Sequence, residues 1–267
     1  RHLAARALSI DYAALDQPTI DRAKQLLLDH LGCALIGSTL PWTKIVYRYL
    51  IDFCSGSNDA RVVNYGSRLA MHDAAYINAV FAQGHELDDY STRNMGGGHA
   101  GAGTWPVVLA IGERMHASGK DILGAAVAGF ECMFRIGWSV RPSSDRGGHH
   151  VQGILAPFGA AAATGCLLGL SHEQMTMALS LAASHSAGIN EFGATGGEVK
   201  RLHAGIAGRG GIQSAYLAQR GYTGPPTALE GDQGFCHSFS REPKLGEITK
   251  DIDHFAIMED RKSTRLN

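Results

Sequence analysis

The sequence predicts an all-α protein built as a multi-helix, bundle-like domain, and three observations support this fold class. Apolar residues recur with the 3.6-residue period of a helix in eight segments. Several of these segments begin or end at residues that favour helix caps. The run at 61–65 is the only short β-branched and aromatic stretch that indicates a strand. Long helices joined by short loops pack as antiparallel neighbours in such domains.

Each predicted helix follows from a local pattern, beginning near the N-terminus. Residues 20–35 place Leu26, His30 and Leu31 on one face, and Thr19 is expected to cap this helix. The eight predicted helices cover residues 20–35, 42–53, 70–84, 105–117, 120–140, 154–168, 172–186 and 199–220.

Boundary residues delimit the later helices. The pair at 118–119 is expected to end one helix before the next begins at Lys120. Ser171 followed by Gln174 has the pattern of a capping box, in which each side chain bonds the backbone N–H of the other residue. Gly221 is expected to end the last long helix.

The length of 267 residues fits one large domain, which we place at residues 1–255. The tail at 256–267 has no periodicity and no cap. It is predicted to be irregular, either the start of a missing domain or residues foreign to the protein.

Charge and cysteine usage narrow the function classes. The formal net charge is −1 and no long run of like charges occurs, so we expect no nucleic-acid partner. No apolar stretch is long enough for a membrane span, so no membrane association is expected. The five cysteines are widely spaced and predict reduced thiols, which together with the lack of a leader pattern favours a cytoplasmic location.

Three polar clusters interrupt the helical pattern and are the candidate functional residues. They lie at 85–103, 147–150 and 200–203, and each mixes imidazoles with charged and small residues. Glycine allows tight turns and close approach to a ligand, and functional residues concentrate in such loops. We expect the three clusters to converge on one pocket.

The side chains in these clusters suit removal of a proton next to a carboxylate. Asp88, His99 and His150 could take and give protons, and Lys200 could hold an anion. A base with a pKa near ~7 and a cation that stabilises the developing enolate would lower the barrier. The adjacent His149 is expected to face the opposite side.

Other interpretations of these residues stay open. Asp88 could belong to a solvated helix end, and His99 could be an exposed loop histidine. A metal-dependent hydrolase could use His72, Asp73 and His85, but the spacing lacks an H-E-x-x-H pattern, so no metal is expected. A helical binding module without catalysis is a further alternative.

Several ordered motifs resemble the MmgE/PrpD family, whose members include 2-methylcitrate dehydratase, cis-aconitate decarboxylase and iminodisuccinate epimerase. The similarity covers roughly residues 10 to 262. The motifs are His85-Glu-Leu-Asp-Asp-Tyr-Ser-Thr92, His99 before Trp105-Pro-Val-Val-Leu-Ala, the segment from His150 to Ala163, Leu167-Leu-Gly-Leu, Lys200-Arg-Leu-His-Ala-Gly205, Gly221-Tyr-Thr-Gly-Pro225 and Leu229-Glu-Gly231.

The resemblance implies a large helical domain, a smaller α/β lid domain that is missing here, a homodimer, and catalysis without metal or organic cofactor. It implies that His99, His150, Asp88 and Lys200 are catalytic residues. Substrate-binding roles are expected for Thr92, His85, His203 and Lys262.

Two departures from the family pattern affect these expectations. The family histidine motif commonly reads His-Pro-Thr-Gly, whereas Val-Gln-Gly follows His150 here. Ser-Thr follows Lys262, where the family usually has Pro-Tyr. The first departure would remove a hydroxyl contact to substrate, and the second leaves the role of Lys262 open. The chain also ends where the lid domain is expected to begin, so the truncated chain could be inactive alone.

The combined prediction is a cofactor-independent hydro-lyase of the MmgE/PrpD type that acts on a small di- or tricarboxylate. We expect activity like that of 2-methylcitrate dehydratase, with removal of an α-proton and water. Epimerisation or decarboxylation of a related acid is the alternative, because both use a similar carbanion.

Overall fold

The computed structural model describes residues 1–54, 56–91 and 98–262. In this part of the chain, twelve α-helices and two short antiparallel strand pairs form the fold. The helices are α1 (His2–Leu8), α2 (Gln17–Gly37), α3 (Pro41–Phe53), α4 (Met71–Ala82), α5 (Ala100–Met115), α6 (Gly119–Val140), α7 (Ser143–Arg146), α8 (Val151–Leu167), α9 (His172–Ala183), α10 (Phe192–Thr195), α11 (Val199–Gln219) and α12 (Phe235–Phe239). The strands are β1 (Ala60–Arg61), β2 (Arg68–Leu69), β3 (Asp89–Ser91) and β4 (Asp260–Lys262).

The all-α fold class is confirmed, and each of the eight predicted helices corresponds to one long helix. The start of α2 was predicted wrongly, because its N-cap is Asp16 rather than Thr19. The Asp16 carboxylate accepts a hydrogen bond of 2.9 Å from the Thr19 N–H. Proline in the first turn of α2 then fits without losing an internal hydrogen bond.

Two further boundaries depend on cap geometry. Ser118 begins α6 instead of ending the previous helix, because it forms a capping box with Asp121. Helix α5 ends at His116, which has a left-handed backbone conformation. The predicted capping box of Ser171 and Gln174 at the start of α9 is confirmed.

Strand structure differs from the prediction. Arg61 is the only residue of the run at 61–65 that lies in a strand, because Asn64 and Gly66 turn the chain with positive φ before β2. The segment expected to be an irregular tail contains a 3₁₀ helix, Ala256–Glu259, and then β4. This segment has regular structure because Ala256 is buried and β4 pairs with β3.

Helix α8 lies at the centre of the fold. Residues 151–165 are all buried, as expected for a helix that is apolar on every side. Helices α5, α6, α9 and α11 pack around it, and α4 packs against α5 and α11 on the far side. This arrangement fixes the relative positions of α5, α8 and α11.

Glycines allow the central helices to approach closely. A Cβ on Gly129 of α6 would lie 2.9 Å from the carbonyl oxygen of Gly159 of α8. A Cβ on Gly211 of α11 would lie 2.5 Å from the carbonyl oxygen of Pro157. The high glycine content within helices therefore permits backbone contact at these two crossings.

The two ends of the described chain meet on α6. The buried carboxylate of Glu131 accepts hydrogen bonds from Arg6 Nε at 3.0 Å, Arg135 Nε at 2.7 Å and the Ala256 N–H at 2.7 Å. Arg135 also donates to the backbone carbonyls of residues 250, 251 and 254. None of the helices in the described part of the chain is long and apolar enough to cross a membrane.

Candidate active site

Three helices begin at the residues that the sequence analysis selected. His99 precedes α5, His150 precedes α8, and Lys200 lies in the first turn of α11. The starts of α8 and α11 have no capping side chain in the described residues, whereas α2, α6 and α9 do. At the start of α5, Oδ2 of Asp89 accepts a hydrogen bond of 2.9 Å from the Gly101 N–H. Uncapped N–H groups and the positive end of the helix dipole both favour a bound anion.

His150 and His203 form a buried imidazole pair. Their Nδ1 atoms lie 2.7 Å apart, so one ring donates a hydrogen bond and the other, unprotonated at that atom, accepts it. The Phe192 ring packs edge-on against His150, with the ring centroids 4.9 Å apart. Burial is the main cause that lowers the pKa of His150, to about 2, and the adjacent His203 lowers it further. His150 is therefore neutral at physiological pH.

His99 has the opposite electrostatic environment. Its Nδ1 lies 3.2 Å from Oδ2 of the buried Asp88. Burial alone would lower the pKa of His99, but the carboxylates of Asp88 and Asp89 outweigh it and raise the pKa above its ordinary value. The neighbouring carboxylate thus favours the protonated form of the His99 imidazole.

Contacts and charges join these groups into one site. The backbone N–H of His99 donates to Oε1 of Gln152, two residues after His150. The charge of Lys200 lowers the pKa of both His99 and His150. We call the group of Asp88, His99, His150, Lys200 and His203 the imidazole site.

Lys200 contacts a carboxylate of the chain itself. Its Nζ lies 2.5 Å from Oε2 of Glu86, and Nη2 of Arg201 lies 3.1 Å from Oε1 of the same residue. The Lys200 Nζ also lies 5.8 Å from the centre of the Phe192 ring.

The remaining predicted residues are placed differently. His85 is exposed to solvent. Thr92 lies outside the described residues. The backbone of Lys262 pairs with that of Asp89 between β4 and β3. His149 packs edge-on against Phe239, with the ring centroids 4.9 Å apart.

Sequence reasoning missed several residues beside the imidazole site. Tyr90 packs edge-on against His99, and its hydroxyl lies 3.5 Å from Nη2 of Arg141. The charge of the buried Arg141 contributes to the low pKa of His150. Burial lowers the pKa of His30 to about 4, and Asp88 acts on it in the opposite direction. The only sequence signal for His30 was its position on the apolar face of its helix.

The residues of the metal alternative have other partners. His72 Nε2 lies 3.5 Å from Asp73 Oδ2, and the other oxygen of Asp73 is paired with Arg209. Within residues 1–54, 56–91 and 98–262, no group of three or more histidine, cysteine, aspartate or glutamate side chains could hold a metal ion.

Comparison with known proteins gives one family and several relatives. The family described as MmgE/PrpD N-terminal domain matches residues 1–248. The chain is 34% identical over 239 residues to cis-aconitate decarboxylase of Aspergillus terreus, covering 85% of this chain and 48% of that protein.

Two other relatives have similar descriptions. Cis-aconitate decarboxylase-like protein oryM of Aspergillus oryzae is 33% identical over 77% of this chain and 43% of its own length. Human cis-aconitate decarboxylase is 29% identical over 83% of this chain and 46% of its own length. The chain thus spans about half the length of the curated relatives it matches.

Proposed function

The chain belongs to the MmgE/PrpD family, and we propose that it carries the helical part of the active site of a lyase for a small di- or tricarboxylate. One observation carries this proposal: His99, His150 and Lys200 meet at the starts of three helices, and the pKa of His99 is raised while that of His150 is lowered. An anion is favoured there, and groups for proton transfer are adjacent to it.

Decarboxylation of cis-aconitate is the first candidate reaction, because the curated relatives are described as cis-aconitate decarboxylases. The bond from carbon to one carboxylate breaks, and its electron pair forms a new C=C bond. The original C=C bond shifts its electrons to the neighbouring carbon, which takes up a proton as CO₂ leaves. The reaction therefore needs a proton donor beside a bound polyanion.

The residues of the imidazole site can fill these roles. Protonated His99 donates the proton, and Asp88 keeps it protonated. Lys200 and the starts of α8 and α11 hold the carboxylates. Neutral His150, fixed by His203, contacts the substrate as a hydrogen-bond partner. None of these steps requires a metal or an organic cofactor.

Dehydration of the 2-methylcitrate type, which the sequence analysis preferred, is the second candidate. Its supporting observation is that His150 is neutral while the pKa of His99 is raised. A substrate carboxylate bound at Lys200 would offset part of the positive charge that lowers the pKa of His150, so its neutral ring becomes a better acceptor for the α-proton. His99, whose pKa is raised, can donate a proton to the leaving hydroxide.

We also propose that the protein functions as a homodimer. Helices α2 and α3 expose large apolar side chains, among them Leu28 at 72% and Phe53 at 76%. Apolar patches of this kind mark interaction surfaces. Light scattering of the purified protein would measure the molecular mass in solution.

The test is a substrate screen with the full-length natural protein that contains this chain. NMR would follow cis-aconitate, 2-methylcitrate and related acids, with and without a chelator. We expect loss of CO₂ from cis-aconitate that the chelator does not affect. Turnover of 2-methylcitrate alone would favour the second candidate, and turnover of none of these acids would contradict the proposal.

Substitution of two adjacent histidines links the activity to the site. We expect His150→Ala to lower kcat/KM by about 10- to 100-fold, because the variant loses a hydrogen bond to a charged substrate group, worth about 1.5–3 kcal/mol. His149→Ala is the matched control, since His149 packs against Phe239. Equal losses in the two variants would contradict the role of His150.

A further inference from the structure

Two adjacent cations at the start of α11 already bind one carboxylate of the chain. Glu86 bridges them, with Oε2 2.5 Å from Lys200 Nζ and Oε1 3.1 Å from Arg201 Nη2. Glu86 lies in the loop between α4 and β3 and has a φ of 59°, in the left-handed region that non-glycine residues seldom adopt. Glu86 thus contacts both cations from a loop position with an uncommon backbone conformation.

The bridged cations belong to the surroundings of the imidazole site. Lys200 acts electrostatically on both His99 and His150. Its ammonium lies 5.8 Å from the centre of the Phe192 ring, and the same ring packs against His150. A ligand carboxylate at Lys200 would therefore lie close to the groups that transfer protons.

We propose that Lys200 and Arg201 form a carboxylate subsite and that Glu86 is its internal occupant, which a substrate carboxylate must displace. This inference deepens the proposed function, and it rests on that function for the identity of the ligand. Exchange of one carboxylate for another conserves the charge pairing of both cations. Glu86 is 36% exposed, so it can move into solvent when it is displaced.

Displacement makes Glu86 a determinant of affinity and specificity. At this subsite, an acid with one carboxylate gains little more binding free energy than is lost when Glu86 leaves the two cations. A di- or tricarboxylate has further anionic groups that bind elsewhere in the site, so its binding still gains free energy overall. Competition by Glu86 thus selects polycarboxylates over simple acids.

The experiment compares Glu86→Gln with Glu198→Gln in the full-length natural protein. Glu198 is an exposed residue immediately before α11, so its replacement removes the same charge near the same helix start. Calorimetry would measure binding of tricarballylate, a saturated tricarboxylate, and acetate would serve as the single-carboxylate probe. Steady-state kinetics would be measured with any substrate found in the screen.

We expect Glu86→Gln to bind tricarballylate roughly fivefold more tightly, which is the scale of a partly exposed ion pair. Acetate binding should also become measurable, and KM should fall by more than kcat changes. Glu198→Gln should differ from the unchanged protein by less than about twofold. Equal or weaker tricarballylate binding by Glu86→Gln would overturn the inference, as would no binding by any variant.

These outcomes separate the two proposals. Tighter binding by Glu86→Gln without turnover of any acid would support the subsite and contradict the lyase. Turnover by the unchanged protein together with unchanged binding by Glu86→Gln would support the lyase and contradict the subsite.

Discussion

At the scale of single residues, the buried histidines differ in what surrounds them. Next to Asp88, the pKa of His99 is raised despite burial. Burial, with His203 and Lys200 nearby, lowers the pKa of His150 to about 2. The surroundings therefore shift the pKa values of two imidazoles of one site in opposite directions, which is the arrangement that acid–base catalysis uses.

The Asp88→Asn variant tests the charge state of His99. Without the Asp88 carboxylate, burial becomes the main influence on the His99 imidazole, so the pKa of His99 should fall. If His99 donates a proton, activity is present below that pKa and lost as the pH rises through it. We therefore expect the alkaline limb of kcat/KM to move to lower pH in the variant.

The measurement is a pH profile of kcat/KM for both proteins. Asp52→Asn, at an exposed position on α3, is the control and should leave the profile unchanged. An alkaline limb that stays in place in Asp88→Asn would contradict the role of the pair.

The residue types of the site could be predicted because polar groups stand out in a helical pattern. Asp88, His99, His150 and Lys200 were all selected in this way, and the structure places them near one another. Glu86 and Arg201 were missed as a pair because their contact depends on a loop conformation that no local pattern indicates. His30 was missed because it occupies an apolar position of α2, where a buried histidine has no distinguishing signal.

At the scale of elements, the helix crossings depend on glycine. Gly211 of α11 faces the backbone of α8, and a Cβ there would lie 2.5 Å from the Pro157 carbonyl oxygen. Gly32 of α2 has no heavy atom within 4 Å of the same position. The two residues share a helical context but differ in the space available.

Substitution of each glycine by alanine should have opposite effects. Gly211→Ala should lower the free energy of unfolding by about 1–3 kcal/mol, because the helices must separate. Gly32→Ala should raise it by about 1 kcal/mol, because alanine favours a helix. Urea denaturation of both variants would measure these changes, and a stabilised Gly211→Ala would show that the crossing is not tightly packed.

Helices were predictable and strands were not, for a physical reason. Helical periodicity depends on residues a few positions apart, so all eight long helices were visible. Strands β3 and β4 have three residues each and pair across most of the chain. Their pairing depends on tertiary contacts, which the local sequence does not encode.

At the scale of the whole molecule, one buried carboxylate connects distant parts of the chain. Glu131 bonds Arg6 near the N-terminus, Arg135 within α6 and the backbone of Ala256. The fold class followed from the helical periodicity of the sequence. The Glu131 connection could not be predicted from the sequence, because it joins residues more than a hundred positions apart.

Glu131→Ala should be strongly destabilising. The change leaves buried Arg135 without its carboxylate partner, and breaking a buried pair in this way costs about 3–5 kcal/mol. Glu173→Ala, at an exposed position on α9, should change stability by about 0.5 kcal/mol or less. Thermal unfolding would compare them, and similar melting temperatures for the two variants would contradict the importance of the Glu131 network.

The shared carboxylate of Glu131 also has a topological consequence. Arg6 and Ala256 both lie within 3.0 Å of it, so the first and last parts of the helical body are spatial neighbours. Loss of the Ala256 contact would release the segment that leads into β4, and loss of the Arg6 contact would release α1 from α6. Shortening the chain on one side of this contact is therefore expected to loosen the other side as well, and hydrogen exchange at residues 2–8 and 250–259 would measure that coupling.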